Sequence, residues 1–176
     1  MKFEKIFTRI SPEELTDNVF RLVGKDFPVV TGGNKDHYNA MLASGGGMGM
    51  LFMKPTTWCI FPENRYTLEI IEQEKTYTLS YFSEQYREQI FFLGKNSGRD
   101  SNKMKEVVLK AISTPCGNMT FQEARLVIEC RLTQGTIARP EDFYDQEAKD
   151  LTIQAYNEIG CYRKFVFGEI TDVWIK

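Results

Sequence analysis

The chain has 176 residues, of which 42% are hydrophobic and 26% charged, a composition typical of folded proteins rather than disordered chains. Its formal net charge is −2 and its charges are mixed along the sequence, which excludes a basic nucleic-acid binder and a polybasic membrane anchor. The longest apolar stretch, residues 40–53, is interrupted by glycines and is shorter than the ~20 apolar residues that cross a bilayer. No linker or repeat divides the sequence, so we expect one domain over residues 1–176.

The predicted elements, in chain order, are mainly strands. Ser11, Pro12 and Glu14 have the pattern of a capped helix start, with a capping box and a proline in the first turn. Strands are predicted where residues alternate in polarity or are rich in aromatic and β-branched types, over 27–31, 57–61, 77–82, 124–133 and 164–174. Helical spacing of apolar residues predicts helices over 65–74, 86–93 and 104–111. Because helices and strands do not alternate regularly, we expect a mainly antiparallel β-barrel or sandwich with peripheral helices.

Cysteine and histidine usage argues against a metal site. The four cysteines lie far apart and none forms a Cys-x-x-Cys pair: Cys59, Cys116, Cys130 and Cys161. This spacing fits neither a zinc site nor a disulfide framework, so we expect buried, reduced thiols. The only histidine, His37, excludes a multi-histidine metal site, and we expect it in a surface turn. Since the N-terminus also lacks the apolar core of a secretion signal, we expect a cytoplasmic protein.

A first candidate ligand segment spans residues 39–49, which include four glycines. Such a segment lets a ligand approach the backbone closely, and Asn39 and Ser44 add side chains that can form hydrogen bonds. It is neither a Walker phosphate loop, because the Gly-Lys-Ser/Thr ending is missing, nor a Gly-x-Gly-x-x-Gly motif. Considered alone, a glycine-rich turn of this kind is more often structural than ligand-binding.

A second candidate is the predicted helix start at residues 61–67. If Asn64 caps this helix, the amides of Arg65, Tyr66 and Thr67 point outward at its positive end. Aligned amides, an arginine and a hydroxyl together favour a phosphate. A capped surface helix with a solvated arginine is the alternative.

A third candidate, residues 94–100, joins two predicted helices and contains two glycines and the cations Lys95 and Arg99. It fits a loop that holds an anionic ligand. A solvated connector with charges at the helix ends explains the same residues.

Together these segments resemble the flavin reductase-like FMN-binding family. The resemblance runs in chain order through almost the whole sequence. The segments that carry it are Tyr38-Asn39-Ala40-Met41-Leu42-Ala43-Ser44-Gly45-Gly46-Gly47, Lys54-Pro55, Arg65-Tyr66-Thr67-Leu68-Glu69, Ser97-Gly98-Arg99-Asp100-Ser101-Asn102-Lys103, Phe121-Gln122-Glu123-Ala124-Arg125 and Phe167-Gly168-Glu169-Ile170.

The resemblance implies a six-stranded antiparallel split β-barrel that forms a homodimer, with FMN near the subunit interface. It also implies three sets of cofactor-binding residues. Those along the flavin ring and ribityl chain would be Asn39, Met41, Leu42, Ala43 and Ser44, with backbone amides near the ring. Those at the phosphate would be Arg65, Tyr66 and Thr67, and those reaching the cofactor or a nicotinamide donor would be Ser97, Gly98 and Arg99.

The chain departs from the family pattern at three places. Leu42 stands where a threonine is common, which removes or replaces one flavin hydrogen bond, and Gly45 stands where an aromatic residue is frequent. Residues 161–164 contain no histidine, although relatives often carry one before the last strand.

The function implied by the resemblance is that of an NAD(P)H-dependent flavin reductase, in which hydride passes from the nicotinamide to flavin N5. Such an enzyme needs no protein base, so no catalytic residue is assigned. The alternative is a flavoredoxin-like FMN electron carrier without a pyridine-nucleotide site, and a third possibility is a flavin-free interaction module. In each redox reading the partners are a small-molecule electron donor and acceptor. Neither nucleic acid nor membrane is expected, because no basic stripe accompanies the aromatic residues, which we place in the core or at dimer contacts: Phe91, Phe92, Phe165, Phe167 and Trp174.

Overall fold

The computed structural model describes residues 2–176. Over these residues it has ten β-strands and four α-helices. The strands are β1 (Thr8–Ile10), β2 (Val29–Gly33), β3 (Tyr38–Leu42), β4 (Gly46–Leu51), β5 (Lys54–Pro62), β6 (Thr76–Tyr81), β7 (Ala111–Ser113), β8 (Met119–Phe121), β9 (Leu126–Ala138) and β10 (Arg163–Ile175). The helices are α1 (Val19–Arg21), which continues into a π-helical turn (Leu22–Asp26), α2 (Tyr66–Glu74), α3 (Arg87–Lys95) and α4 (Gln146–Ile159). Single 3-10 turns lie at Phe3–Lys5, Pro12–Glu14, Glu84–Tyr86, Lys103–Lys105 and Pro140–Asp142.

The main sheet has the order β3-β2-β6-β9-β10-β5-β4, with β1 added beside β10, and every pairing is antiparallel. In the described part of the chain β3 and β4 end the sheet without pairing with each other, so the barrel is open. The mainly-β, split-barrel expectation is therefore confirmed. The sheet has eight strands where the resemblance implied six, and β7 and β8 form a separate hairpin.

Two apolar clusters lie on opposite faces of the sheet. Successive side chains of a strand point to opposite sides, so in β9 Leu126, Ile128 and Cys130 belong to the cluster inside the barrel. Val127 belongs to the second cluster, which packs beneath α3 and the N-terminal segment. The alternation predicted for this strand is confirmed, with one addition: Glu129, expected on a polar face, is fully buried.

Several predicted elements are confirmed with small shifts of their ends, namely β2, β5, β6, β9, β10, α2 and α3. The predicted start at Ser11 has its capping box but forms only one 3-10 turn. The helix predicted over 104–111 is wrong. There the amide of Val108 bonds to the side chain of Gln89 at 3.1 Å, and the chain then enters β7.

Helix α4 was not predicted, although its end signals are visible in the sequence. The Asp145 side chain accepts a hydrogen bond from the amide of Ala148 at 2.8 Å, and Gly160 ends the helix in the left-handed region. None of the described helices is long and apolar enough to cross a membrane.

The cysteines are free, and three of the four are buried as expected. Burial raises the pKa of Cys130 to about 12 and raises that of Cys59 further. The exception is Cys116, which is exposed in the turn between β7 and β8. The expectation that all four thiols are buried is therefore wrong for Cys116.

Candidate functional site

The glycine-rich segment consists of two strand ends and a short turn. β3 ends at Leu42 and β4 begins at Gly46, and the two strands lie at opposite ends of the sheet. At least one glycine here is structural, because a Cβ at Gly47 would lie 2.3 Å from the indole ring of Trp58. The structure thus supports the structural interpretation for the second half of the segment. Asn39, in its first half, is 4% exposed and donates a hydrogen bond to Thr67 Oγ1 at 2.8 Å.

Helix α2 begins one residue later than expected. Arg65, not Asn64, is its N-cap, and no side chain caps the helix. Within the described residues the amides of Tyr66 and Thr67 have no hydrogen-bond acceptor. The positive end of α2 is therefore open, as a phosphate site requires.

Lys103 lies beneath the loop that follows α3. Although a lysine, it is 2% exposed. Its Nζ donates to the carbonyls of Leu93 and Asn96, both at 2.8 Å, at the C-terminal end of α3. Burial, and then the nearby charge of Arg65, lower the pKa of Lys103 to about 8. Lys103 thus fixes the start of the loop and brings a charge into the interior.

Arg99 ties the same loop to α2. Its guanidinium donates to the carbonyl of Asn64 at 2.8 Å, forms an ion pair with Glu69, and lies 5.3 Å from the centre of the Tyr66 ring. A Cβ at Gly98 would lie 2.3 Å from Asn39 Oδ1, so the loop can approach β3 this closely only with glycine at this position.

These elements enclose a cavity of about 180 Å³, which we call the cationic cavity. Its thirteen lining residues include three cations and no carboxylate. Arg99 is paired with Glu69, whereas neither Arg65 nor Lys103 takes part in an ion pair within the described residues. Two unpaired cations, one of them buried, beside a free helix N-terminus form a site that favours an anion. The lining residues are Asn39, Met41, Asn64, Arg65, Tyr66, Thr67, Leu93, Gly94, Asn96, Ser97, Gly98, Arg99 and Lys103.

A second, mainly polar cavity of about 410 Å³ adjoins the first across Asn39, Tyr66 and Lys103, and we call it the rim cavity. At its edge the hydroxyl of Tyr66 lies 3.0 Å from His37 Nε2. His37 was expected in a surface turn, with an approach to the ligand as the alternative, and this bond links it to the candidate site.

The cationic cavity brings together eight of the eleven predicted site residues, namely Asn39, Met41, Arg65, Tyr66, Thr67, Ser97, Gly98 and Arg99. The other three do not line it. Leu42 packs against Gly94 of α3, where a Cβ would lie 2.8 Å from that of Leu42. Ala43 is buried, and its amide donates to the carbonyl of Pro28 at 2.9 Å. Ser44 is exposed in the turn after β3.

Sequence reasoning missed Lys103 as a site residue, although it closes the segment Ser97–Lys103 noted for its family resemblance. Lys103 directly precedes the helix predicted over 104–111, and a lysine at the end of a helix is usually solvated. Only the position of the α3 carbonyls shows that it is directed inward.

Comparison with known proteins gives a family match. A model of the flavin reductase like domain matches residues 20–176. No curated protein matches the chain.

Several solved structures share the fold. The FMN-binding protein from Thermus thermophilus, determined with bound 1-cyclohex-2-enone, is 15% identical over 96% of this chain and 79% of its own, with a TM-score of 0.65. Flavoredoxin from Methanosarcina acetivorans is 15% identical over 95% and 76%, with a TM-score of 0.66. The 2-nitrobenzoate 2-nitroreductase NbaA from Pseudomonas fluorescens is 18% identical over 96% and 77%, with a TM-score of 0.60.

Proposed function

Because this chain belongs to the flavin reductase-like family, we propose that it binds FMN, with the phosphate in the cationic cavity. The observation that carries this proposal is the pair of unpaired cations, Arg65 and Lys103, beside the open N-terminus of α2. A dianionic phosphate would neutralise both charges and accept hydrogen bonds from the free amides of Tyr66 and Thr67. The residues present therefore fit this group.

Other residues would position the rest of the cofactor. Asn39 is held by Thr67 and would present its carbonyl side to the ribityl chain, since its amide group is already donating. Met41 lies on the wall of the same cavity. Ser44 and Gly45 would lie along the ring. Gly45 has room for a side chain, because a Cβ there would lie 3.6 Å from Ile60, an ordinary contact distance. Ser97, Gly98 and Arg99 would close the loop over the phosphate.

We propose further that the protein is an NAD(P)H-dependent flavin reductase. The chemistry supplied by bound FMN is hydride acceptance at N5. The chain itself has to hold the flavin and a nicotinamide donor in contact and to stabilise negative charge, which requires no protein base. The family model and the open barrel support this assignment. The structural similarity to a flavoredoxin supports the second candidate, an electron carrier without a nicotinamide site.

The experiment is a spectral titration. Purified protein is saturated with FMN, its absorption spectrum is recorded, and NADH or NADPH is added without oxygen. Bleaching of bound flavin supports the reductase. Flavin that is reduced by dithionite or a reduced ferredoxin but by neither nucleotide supports the carrier. Protein that neither takes up FMN nor quenches its fluorescence contradicts both and favours the interaction module.

The remaining expectations belong to the same proposal. A homodimer, a cytoplasmic location and small-molecule electron donors and acceptors are all typical of the function proposed. The half-exposed aromatic residues Phe165 and Phe167, whose rings stack 6.5 Å apart on β10, support a surface that meets another protein chain.

A further inference from the structure

The loop of residues 97–100 lies between β3 and the start of α2. Gly98 packs against β3, and Arg99 extends its side chain to the chain just before α2. Both residues line the cationic cavity and the rim cavity, so the loop forms a wall that the two cavities share. Within the loop, the amide of Arg99 donates to Ser97 Oγ at 3.2 Å, and that of Asp100 donates to the Ser97 carbonyl at 3.3 Å. These two bonds shape the turn, whereas its position beside the cavities depends on the contacts with β3 and α2.

Arg99 spans the first turn of α2. Its guanidinium contacts the carbonyl of Asn64 before the helix, the ring of Tyr66 in the first turn, and the carboxylate of Glu69 one turn further on. The carbonyl and the ring are neutral partners, and within residues 2–176 Glu69 is the charged partner of Arg99. Because bonds between charged groups are the stronger kind, Glu69 has the largest share in fixing the direction of the guanidinium.

The ion pair of Arg99 and Glu69 is not explained by the stability of the fold. Its side chains are 44% and 52% exposed, and ion pairs at such positions contribute little to stability. Glu69 lines neither the cationic cavity nor the rim cavity, so it brings no negative charge to their walls. It neutralises Arg99, however, and so leaves the cationic cavity with the two unpaired cations that match a phosphate dianion. The effect of Glu69 on the cavity is therefore exerted through Arg99.

We propose that Glu69 is a positioning residue that slows the release of FMN. By holding Arg99 across the start of α2, it keeps the loop of residues 97–100 closed beside the phosphate. When this ion pair opens, only neutral contacts tie the loop to α2, so the loop moves away more often and the phosphate can leave. This role rests on the proposed binding of FMN in the cationic cavity.

The first test measures the loop in flavin-free protein, by hydrogen exchange of the Arg99 and Asp100 amides. In Glu69→Gln the side chain keeps its size but loses its charge, so both amides should exchange about two- to fivefold faster than in the wild type. Glu72→Gln is the matched control, because Glu72 lies on the same helix but pairs with Lys164 of β10. Its amides should exchange as in the wild type. Equal exchange in Glu69→Gln and the wild type would overturn the proposal, whether or not FMN binds.

The second test measures the release of FMN, as the recovery of flavin fluorescence after the loaded protein is diluted. Glu69→Gln should release FMN about two- to fivefold faster than the wild type, and Glu72→Gln at the wild-type rate. Arg99→Gln should release it at least tenfold faster, since it also loses the bond to the Asn64 carbonyl and the contact with the Tyr66 ring.

A double variant shows whether Glu69 acts through Arg99. Glu69→Gln combined with Arg99→Gln should release FMN no faster than Arg99→Gln alone. Additive effects of the two substitutions would contradict the proposal, because Glu69 would then affect binding by another route.

The role of Glu69 and the proposed function fail in different ways. A wild type that takes up no FMN overturns the proposed function, and with it the role of Glu69 in retaining the cofactor. A wild type that binds FMN, together with a Glu69→Gln variant that releases it at the wild-type rate, overturns the role of Glu69 alone.

Discussion

Lys103 carries a charge in a place where charges are costly. An unpaired buried cation is destabilising unless a ligand or a carbonyl cluster compensates it. Two carbonyls of α3 do so in part, and the remaining N–H of Nζ is available to the cationic cavity that it lines. The residue is thus both a clamp for the loop and a candidate phosphate ligand.

Replacing Lys103 by Met separates these two roles. We expect FMN affinity to fall about 10- to 100-fold, since a hydrogen bond to a charged group contributes ~1.5–3 kcal/mol. Riboflavin lacks the phosphate and serves as the control ligand in the same fluorescence titration. An equal loss for both flavins would mean that Lys103 acts only through the loop.

The pH dependence of binding follows from the same residue. The pKa of Lys103 is lowered to about 8, mainly by burial, against an ordinary value of ~10.4. A bound phosphate raises this pKa again, so binding takes up a proton above pH 8, and FMN affinity should fall as pH rises from 8 to 10. Without ligand the sign is opposite: the unfolded chain holds the extra proton, so the free energy of unfolding should rise over this range. FMN titrations at several pH values check the effect on affinity, and Lys103→Met should remove the dependence of affinity on pH over this range.

Gly98 permits the close approach of its loop to Asn39. In Gly98→Ala the new methyl group would overlap Asn39 Oδ1, so either the Asn39–Thr67 bond breaks or the loop moves outward. We expect weaker FMN binding and a loss of about 1–3 kcal/mol in the free energy of unfolding. Gly24→Ala is the control, because a Cβ there meets nothing within 4 Å. Urea unfolding of both variants measures the difference, and equal stabilities would contradict the predicted overlap.

At the scale of the elements, the buried carboxylate of Glu129 links β9 with the β7–β8 hairpin and with β10. Glu129 of β9 accepts hydrogen bonds from Thr114 at 2.7 Å and Asn118 at 2.7 Å in the β7–β8 hairpin, and from Trp174 of β10 at 2.8 Å. These bonds explain why an acidic residue sits on a buried face of the sheet. They also help to hold the small hairpin, which is a separate two-stranded sheet, against the main sheet, where Thr78 and Ser80 of β6 bond to it as well.

Glu129→Gln should therefore destabilise the fold. The amide nitrogen of glutamine cannot accept a hydrogen bond, so at least one buried donor loses its partner, at a cost of about 1–3 kcal/mol. Chemical denaturation measures the change, with the exposed Glu141→Gln as control. An unchanged midpoint for Glu129→Gln would show that the network does not stabilise the hairpin.

The homodimer that belongs to the proposed function would link stability to protein concentration. If folding and association are coupled, Tm should rise with protein concentration by roughly 2 °C for each tenfold increase. Scanning calorimetry over a hundredfold range measures this slope. A wild-type Tm that is independent of concentration would argue against association.

From the amino-acid sequence alone, five strands of the barrel could be predicted, β2, β5, β6, β9 and β10, because alternation such as that of Leu126, Ile128 and Cys130 is a local property of a strand. The strands β3 and β4 were not predicted, because their residues lie in the glycine-rich segment that was interpreted as a ligand segment or a turn. The start of α2 was predicted to within one residue, and with it the anion site that we propose there, since the charge and the free amides of a helix start are local as well. Residues 104–111 show the limit of this approach. Their helical spacing predicts a helix, but the amide of Val108 donates to the side chain of Gln89 and β7 pairs with β8. Only the tertiary structure decided that Leu42 packs against α3 and that Lys103 turns inward. Both depend on where α3 lies on the sheet. The position of α3 relative to β3 and to Lys103 is set by packing between segments that are remote in the chain, and no local pattern encodes it.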